Sequence, residues 1–527
     1  MQKSFAEKLY DSIRSKAEEN ALPLLTALLT GLIAYVFCFT HKLEIHDDLN
    51  NMFSQGYPVS SGRWGLAFIE KLFPTASIPW FNGLVSLFLL SVAICLIIRM
   101  FAIRKPVLQF LLAAVLAAFP AQMTTFAYMF TTIQYAVSFL LSVTAAFLLS
   151  RRQKRWEMIV AGILLVLSLG IYQPYVAVCT SLLVVWCFSL CLSEEHNGKE
   201  VILLGLQYIA VIVVSMLVYY GILILVKRFS DMPLNEYAEN NLNSISDVLH
   251  GILVAYTSFA GYFLRGHYDI VRPGLSFAAH LIILLVTAFL LVLRFRSSSA
   301  RAQGRLWAAL LCLLLLPLGV NCLRLISSLF HNLMTCGFIS FYVLAVVVLE
   351  RCLPDAGERS GLLTGNLCTD FAAASFAVIL ITNVYFANAV YLDMYMQEEQ
   401  TKAFYQGVVS SLTQQEDFDE NSWVVFFGEK DFLTDYPIIN TANQAGIKEG
   451  IIQTYSQNYF IKYFLGIDLN ANSLTEATIP EGWDDIIDWQ EVIDMPTYPY
   501  SGSIRKIAEN GEDGKIFFVR LGRQQKN

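Results

Sequence analysis

Asp47 and Asp48 lie shortly after the first long apolar run of the chain, and Arg63 and Trp64 follow in the same loop. A carboxylate can take the proton from an attacking hydroxyl group. A guanidinium presents a planar fork of donors that fits a phosphate, and an indole is an amphipathic plate that fits a membrane interface or the face of a sugar. Together these residues predict a site for an anionic, lipid-linked substrate.

Glycosyl transfer from a polyprenyl phosphate sugar is the chemistry that fits this set of residues. The leaving group is a phosphate that is already anionic, so the reaction needs no general acid, and cationic donors on the phosphate oxygens suffice. The reaction therefore requires only one carboxylate as a base and one or two basic residues to bind the phosphate. Two adjacent carboxylates repel each other and can take different roles. The sequence leaves open whether Asp47 or Asp48 is the base.

Other polar residues near the predicted membrane edge are further candidates for substrate binding. His46 precedes the aspartates, and Arg324, with His331 soon after it, follows a later apolar run. A charge at that depth is costly, so Arg324 is either a second phosphate ligand or a side chain that reaches to the lipid headgroups. Gln173 lies in a tight turn, where an amide that packs helices is expected ahead of a direct role, and Asn383 and Asn388 in the last span are interpreted as packing amides too.

The histidines beside the aspartates raise the question of a metal site. Imidazole and carboxylate together suit zinc or manganese, but His41, His46, Asp47 and Asp48 do not have the spacing of a tight ligand set. We therefore do not expect a zinc ion held by the protein, whereas a loosely bound Mg²⁺ or Mn²⁺ shared with the substrate phosphate stays open. The sequence has no Walker motif, dinucleotide-binding glycine fingerprint or nucleophile elbow.

The composition indicates a polytopic membrane protein. Hydrophobic residues make up 56% of the 527 residues and charged residues 15%, with a mean hydropathy of +0.52. The part from residue 397 onward has 21 acidic and 10 basic residues, against 22 acidic and 26 basic before it. None of the ten cysteines lies in this acidic part, which excludes a disulfide framework there. Nothing in the charge pattern indicates nucleic-acid binding.

A bilayer core of about 30 Å needs about 20 apolar residues in a helix, which predicts about eleven spans. They lie near residues 21–40, 79–98, 106–122, 131–150, 156–172, 174–193, 201–225, 274–293, 306–325, 333–350 and 371–391. In the segment 244–263, apolar residues recur at helical spacing but Asp247 and His250 interrupt the run. We interpret this segment as an amphipathic helix on the outer membrane surface, with a twelfth span as the alternative.

Basic connections alternate with less basic ones along this series of spans. Lys and Arg flanking a span favour the cytoplasm, and they collect in the leader 1–20 and in the connections 99–105, 151–155, 193–200, 294–305 and 351–361. The leader lacks the pattern of a cleaved signal peptide. We therefore predict a multi-pass protein of the bacterial cytoplasmic membrane with a cytoplasmic N-terminus and an extracytoplasmic C-terminus.

The predicted architecture has two parts. Residues 21–396 form an all-α transmembrane domain with outer loops at 41–78 and 226–273, and residues 397–527 form a small extracytoplasmic α+β domain. In the second part "AFYQGVVSSL" predicts a helix, "SWVVFFG" and "KIFFVRL" predict strands, and "MPTYPYSGS" predicts a turn-rich connection.

Several short motifs together resemble one family, the polytopic bacterial and phage glucosyltransferases that decorate O-antigen, of the serotype-converting type. They are "HDDL" at 46–49, "SGRWG" at 61–65, "IYQPY" at 171–175 and "MPTYPYSGSI" at 495–504. The resemblance implies a GT-C-like membrane transferase that moves glucose or another hexose from undecaprenyl phosphate to a cell-envelope glycan with inversion. It implies that Asp47 and Asp48 are the catalytic acidic pair and that Arg63 helps to bind the donor.

Two other classes of protein would also bind polyprenyl carriers. A transporter or flippase of lipid-linked saccharide would place its polar residues near mid-membrane in broken helices. A glycan polymerase or ligase would use the same carrier. The polar residues of this sequence collect at the outer ends of the spans, which favours the transferase.

Overall fold

A computed structural model describes most of the chain. The described residues are 15–16, 18–54, 56, 58–72, 76–151, 154–230, 245–264, 274–296, 303–325, 331–353, 362–428, 456–474, 487–510 and 514–522.

The helices, in chain order, are α1 (Ala21–Thr40), α2 (His46–Asn50), α3 (Trp64–Leu72), α4 (Pro79–Met100), α5 (Pro106–Ala117), α6 (Pro120–Ala127), α7 (Thr132–Arg151), α8 (Arg155–Ile171), α9 (Val176–Cys191), α10 (Gly198–Ser230), α11 (Ile245–Leu264), α12 (Leu275–Phe295), α13 (Arg305–Val320), α14 (Ile339–Cys352), α15 (Leu362–Thr413), α16 (Gln457–Phe460) and α17 (Trp489–Asp494). Short 3-10 turns lie at Met129–Thr131, Gln173–Tyr175, Cys322–Leu325 and Asn332–Phe338, and a π-helical turn lies at Ile461–Leu465. The strands are β1 (Trp423–Phe427), β2 (Asn470–Leu474), β3 (Ile504–Asn510) and β4 (Gly514–Arg520).

Many of these helices have the length and composition of membrane spans. Ten helical segments of the described ranges are long and apolar enough to cross a membrane, which makes the chain a multi-pass membrane protein. Nine of them coincide with nine of the eleven predicted spans, and the tenth is α11. The two exceptions are helices at the predicted positions that are shorter, because α8 has 17 residues and α13 has 16.

The chain divides into two compact units. The first comprises Met1–Thr40 and Phe53–Asn388, and the second comprises His41–Met52 and Ala389–Asn527. The division differs from the predicted boundaries, which assign residues 41–78 to the transmembrane domain. The physical reason lies in α2, where Leu49 is buried in the same apolar core as Tyr405 and Phe460 of the second unit.

One edge of the first unit is marked by arginines, and we call it the arginine edge. Three guanidiniums donate to the last carbonyl oxygens of α9 and the residues after it, which lack partners within the helix. Arg294 donates to the Leu192 oxygen at 2.7 Å, Arg305 to the Ser193 oxygen at 2.6 Å, and Arg351 to the Ser189 oxygen at 2.6 Å. The C-terminal ends of α9, α12 and α14 and the beginning of α13 therefore meet at this edge.

Two more contacts bring further basic connections to the arginine edge. The Gly198 amide at the start of α10 donates to the Gln303 oxygen at 2.9 Å, and the Glu350 carboxylate accepts from the amides of Arg104 and Lys105 at 3.1 and 3.3 Å. Four of the connections predicted to share one side of the membrane thus lie at one edge, as their charge predicts.

Helix α11 is the segment predicted to lie on the membrane surface. By length and composition it could cross a membrane, so Asp247 and His250 do not shorten the apolar run as expected. Its first turns lie beside the end of α13, because a Cβ at Gly251 would be 2.6 Å from the Arg324 carbonyl oxygen and Asn321 donates to the Ala255 oxygen at 3.1 Å.

The last turn of α11 lies against the beginnings of two other helices. Phe263 stacks on Phe341, near the start of α14, with ring centroids 4.2 Å apart, and it meets His280, near the start of α12, at 5.3 Å. Those helix starts lie at the edge opposite the arginine edge, as does the end of α13. Both ends of helix α11 therefore lie nearer to that opposite edge than to the arginine edge. The surface position of this helix stays a prediction.

The second unit contains a four-stranded sheet in the order β2-β1-β4-β3. Strand β1 is parallel to both β2 and β4, and β3 is antiparallel to β4. Val424 and Phe426 face one buried core, whereas Val425 and Phe427 face another on the opposite side of the sheet. Burial on both faces explains the continuous apolar sequences of β1 and β4, and the two predicted strands and the predicted helix before them are confirmed.

Candidate functional site

The segment before α2 places a lysine between two buried carboxylates of the second unit. Residues 42–45 have no regular secondary structure, and Leu43, Glu44 and Ile45 are all buried there. The Nζ atom of Lys42 forms ion pairs with the carboxylates of Glu44 and Asp48, and both acidic residues are fully buried. The lysine supplies the charge that two carboxylates removed from water require.

Burial and mutual charge change the proton affinity of this cluster. Burial raises the pKa of the Glu44 carboxyl well above its ordinary value, and the nearby charge of Asp48 raises it further. Burial on its own would lower the pKa of Lys42, but the charges of Asp48 and Glu44 outweigh it and raise that pKa. Lys42 therefore keeps its positive charge, and Glu44 is the member of the cluster that holds a proton to a higher pH.

Asp47 has a different environment from Asp48. Its side chain is 44% exposed, and its Oδ1 atom lies 3.8 Å from Nε2 of His46, whose side chain is 13% exposed. The two adjacent aspartates thus point in different directions from the short helix α2. One carboxylate is enclosed with a lysine, and the other is accessible beside an imidazole.

The sequence did not point to three of the charged residues around Asp48. Lys42 and Glu44 are two of them, and Glu398 of α15 is the third: it is buried, accepts from the Glu44 backbone amide and pairs with Lys402 at 3.1 Å. The charges of Lys42 and Glu44 beside the end of α1 are visible in the sequence. Glu398 carries no local signal, because its contact depends on tertiary packing.

The residues of this cluster do not form a metal site. Within the described ranges, no group of three or more His, Cys, Asp or Glu side chains has an arrangement that could hold a metal ion. The Lys42 ammonium already forms ion pairs with both Glu44 and Asp48. The accessible carboxylate of Asp47 is the remaining group of the predicted pair that could meet a divalent cation bound to a substrate phosphate.

Arg63 belongs to the first unit and stacks on two tyrosines. Its guanidinium carbon lies 5.3 Å from the ring centroid of Tyr172 and 5.9 Å from that of Tyr135, and its Nη1 atom donates to the Tyr135 hydroxyl at 2.9 Å. Tyr135 and Tyr172 stack on each other with centroids 4.1 Å apart. The aromatic rings hold the planar cation in one orientation. A guanidinium held in this way would lose little conformational entropy when it binds a phosphate.

Gln173 holds the loop that carries Arg63. Its Nε2 atom donates to the Ser61 carbonyl oxygen and to the Tyr219 hydroxyl, both at 3.0 Å, and Tyr219 in turn donates to the Gly62 carbonyl oxygen at 2.8 Å. The loop "SGRWG" is therefore tied by its backbone to the turn after α8 and to α10. These bonds give Gln173 a packing role between structural elements, and a direct contact with the substrate stays a prediction.

Close packing of two glycines completes the joint between these motifs. A Cβ on Gly65 would lie 2.8 Å from the carbonyl carbon of Gly170, and a Cβ on Gly170 would lie 2.5 Å from the Trp64 ring. The indole of Trp64 therefore covers the backbone at the end of α8. The motifs "SGRWG" and "IYQPY", which carried part of the resemblance, form one packed joint that positions Arg63.

The remaining candidates do not join this group. Arg324 lies in the 3-10 turn after α13, beside α11, and His331 is exposed at the start of the next described segment. Asp47 and Asp48 belong to the second unit, whereas Arg63 and Arg324 belong to the first. The structure brings together Arg63, Trp64 and Gln173 in one unit and His46, Asp47 and Asp48 in the other.

Comparison with known proteins gives one result. No curated protein matches the chain. The model of a protein family described as "Glucosyl transferase GtrII" matches residues 36–349, which is more than half of the chain and includes both aspartates, the joint around Arg63 and the turn with Arg324. The chain therefore belongs to the GtrII glucosyl transferase family, a family of serotype-converting O-antigen glucosyltransferases.

Proposed function

We propose that the protein transfers glucose, or another hexose, from a polyprenyl phosphate sugar to an extracytoplasmic cell-envelope glycan. An acceptor hydroxyl oxygen attacks the anomeric carbon of the donor, the bond from that carbon to the phosphate oxygen breaks, and the phosphate leaves as an anion on its lipid. The hydroxyl proton passes to a carboxylate. A single displacement of this kind inverts the anomeric carbon.

We assign the base to Asp47 and a supporting role to Asp48. The observation that carries this assignment is the different environment of two neighbouring carboxylates. A base must reach the acceptor hydroxyl, and Asp47 is 44% exposed. Asp48 is fully buried in an ion pair with Lys42, which suits it to fixing α2 rather than to accepting a proton.

We assign the donor phosphate to Arg63. Its guanidinium lies beside the stacked rings of Tyr172 and Tyr135 and donates to the Tyr135 hydroxyl, and its loop is fixed by Gln173. A planar cation held in this way stabilises the charge of the leaving phosphate with little reorganisation. The joint lies at the edge opposite the arginine edge, which by the charge pattern of the connections is the outer face of the membrane. Arg324 and Trp64 remain secondary candidates for donor contact.

The test is sugar transfer by Asp47→Asn and Asp48→Asn in membranes supplied with radiolabelled polyprenyl phosphate glucose and a purified cell-envelope glycan. Loss of a general base predicts a fall of at least about 100-fold for Asp47→Asn at unchanged protein level. Asp48→Asn should lower the amount of folded protein more than the activity of each folded molecule. Full transfer by Asp47→Asn would refute the assignment of the base. Movement of the carrier across the membrane by the wild type without sugar transfer would favour a transporter.

A further inference from the structure

An apolar groove lies in the first unit between α9, α10 and α13. It has a cavity volume of about 120 Å³, and its lining is hydrophobic apart from Thr180, Tyr208 and two thiols. Representative lining residues are Leu183, Cys187, Gly205, Ile209, Cys312 and Leu315. Along α10 it extends from Val201 to Ile212, a distance of about 16 Å at the rise of an α-helix. That distance is about half of a bilayer core of about 30 Å.

The groove ends near the arginine edge. Its lining runs through the middle of α9 and α13 and the first turns of α10, and its end at Cys187, Val201 and Ala308 lies about one helical turn from the residues that meet at that edge. Arg305, at the start of α13, is 3% exposed, and its Nε atom has no hydrogen-bond partner among the described residues. Arg294 is exposed and reaches the carbonyl oxygen next to the one that Arg305 bonds.

We propose that this groove binds one acyl chain of an anionic phospholipid, whose phosphate is held by the exposed guanidinium of Arg294. The hydrocarbon lining matches the chain, the length matches one leaflet, Arg294 supplies charge-assisted donors at the depth where the headgroup lies, and the buried charge of Arg305 adds to the positive potential there. A groove that spans only one leaflet fits a phospholipid better than a polyprenyl carrier. The site is separate from the proposed donor site, because Arg63 lies at the opposite edge of the first unit.

Two glycines of α10 provide a matched pair of variants. A Cβ on Gly205 would meet only the Cys187 sulfur, at 3.9 Å, so a larger side chain at this position enters the groove. A Cβ on Gly221 would meet nothing within 4 Å, so a larger side chain there points away from the protein. Gly205→Phe should therefore fill the groove, and Gly221→Phe should leave it open while adding the same side chain to the same helix.

The experiment uses the full chain in phosphatidylcholine nanodiscs that contain a trace of phosphatidylglycerol with a photoactivatable acyl chain. Crosslinks mapped by mass spectrometry should concentrate on peptides that contain Leu183–Cys187 and Gly205–Ile212. Gly205→Phe should reduce them at least fivefold, and Gly221→Phe should leave them unchanged. Uniform labelling along the exposed face of α10, or equal labelling of the two variants, would overturn the proposal.

A competition on the wild type tests the headgroup without relying on the folding of a variant. Unlabelled phosphatidylglycerol should reduce the crosslinks at lower concentration than phosphatidylcholine does. Arg294→Gln should abolish that preference, whereas Arg296→Gln, which changes an exposed arginine two residues away, should retain it. Equal competition by both lipids refutes the headgroup contact. Stronger competition by polyprenyl phosphate than by phosphatidylglycerol would assign the groove to the carrier instead and overturn the proposal.

Discussion

Gln173 donates a hydrogen bond to the Ser61 carbonyl oxygen at 3.0 Å, and this bond fixes the turn that carries Arg63. Gln173→Ala removes it and the bond to Tyr219, so we expect the donor KM to rise about tenfold while the acceptor KM changes little. Asn388→Ala is the matched control. Asn388 donates to the Ile33 carbonyl oxygen, and this bond confirms the prediction that Asn388 is a packing amide. It should lower Tm without changing the donor KM. Equal kinetic effects in both variants would contradict a positioning role for Gln173.

The contact between Gly65 and Gly170 gives a prediction about stability. Gly65→Ala forces a methyl group against the Gly170 backbone, so we expect a loss of about 1–3 kcal/mol and a lower Tm. Gly221→Ala adds a methyl group in open space within a helix and should be neutral or stabilising by up to about 1 kcal/mol. Thermal unfolding of the purified proteins in detergent measures both. A Tm for Gly65→Ala at or above that of the wild type would show that Gly65 and the Gly170 backbone are not in close contact.

Arg63→Lys should behave as a drastic change. A lysine keeps the charge but cannot stack flat on Tyr172 or present two parallel donors to a phosphate. We expect the donor KM to rise at least tenfold, with kcat lowered as well because the cation also stabilises the leaving phosphate. Arg296→Lys is the control for a general effect of the substitution. Wild-type donor kinetics in Arg63→Lys would exclude the phosphate contact.

Lys42→Met should destabilise the second unit strongly. It leaves the carboxylates of Glu44 and Asp48 buried without their counterion, and breaking a buried pair in this way costs about 3–5 kcal/mol. The double variant Lys42→Met with Asp48→Asn removes one of the stranded charges and should regain part of the loss. Urea unfolding of the detergent-solubilised protein measures both, and a double variant less stable than Lys42→Met would argue against the ion pair.

The raised pKa of Glu44 predicts how stability depends on pH. In the unfolded chain a glutamate has a pKa of about 4.3, whereas in the folded protein Glu44 keeps its proton to a higher pH. The folded state therefore binds more protons in this window, and the contribution of Glu44 to stability falls as the pH rises through it. Glu44→Gln cannot lose a proton, so its Tm relative to the wild type should increase from pH 5 to pH 8. Glu399→Gln, at an exposed glutamate, should show no such trend.

The sequence predicted the elements that have a regular local pattern. The apolar runs mark the helices because a membrane helix must satisfy its backbone internally. The strand β1 and the central residues 516–519 of β4 are apolar because both faces of the sheet are covered. The role of Gln173 followed from its place in a tight turn. In each case the relevant partners are neighbours in sequence or belong to a repeating pattern.

The features that the sequence did not predict depend on contacts between residues that are far apart in the sequence. Nothing near Leu49 signals that it shares a core with Tyr405 and Phe460, and this contact moves both aspartates into the second unit. The enclosure of Asp48 with Lys42 likewise appears only when the segment before α2 is folded. Adjacent carboxylates look equivalent in a sequence, and their different burial is a property of the tertiary structure.

The predicted surface position of α11 has a consequence for the surrounding bilayer. Leu249 and Leu253 are 62% and 61% accessible, and on a helix that lies along the membrane surface, as predicted, they would take up area in one leaflet and add none to the other. A helix inserted in this way responds to the lateral pressure and curvature of its own leaflet. The lipid composition of that single leaflet would then act directly on the turn that holds Arg324, against which α11 packs.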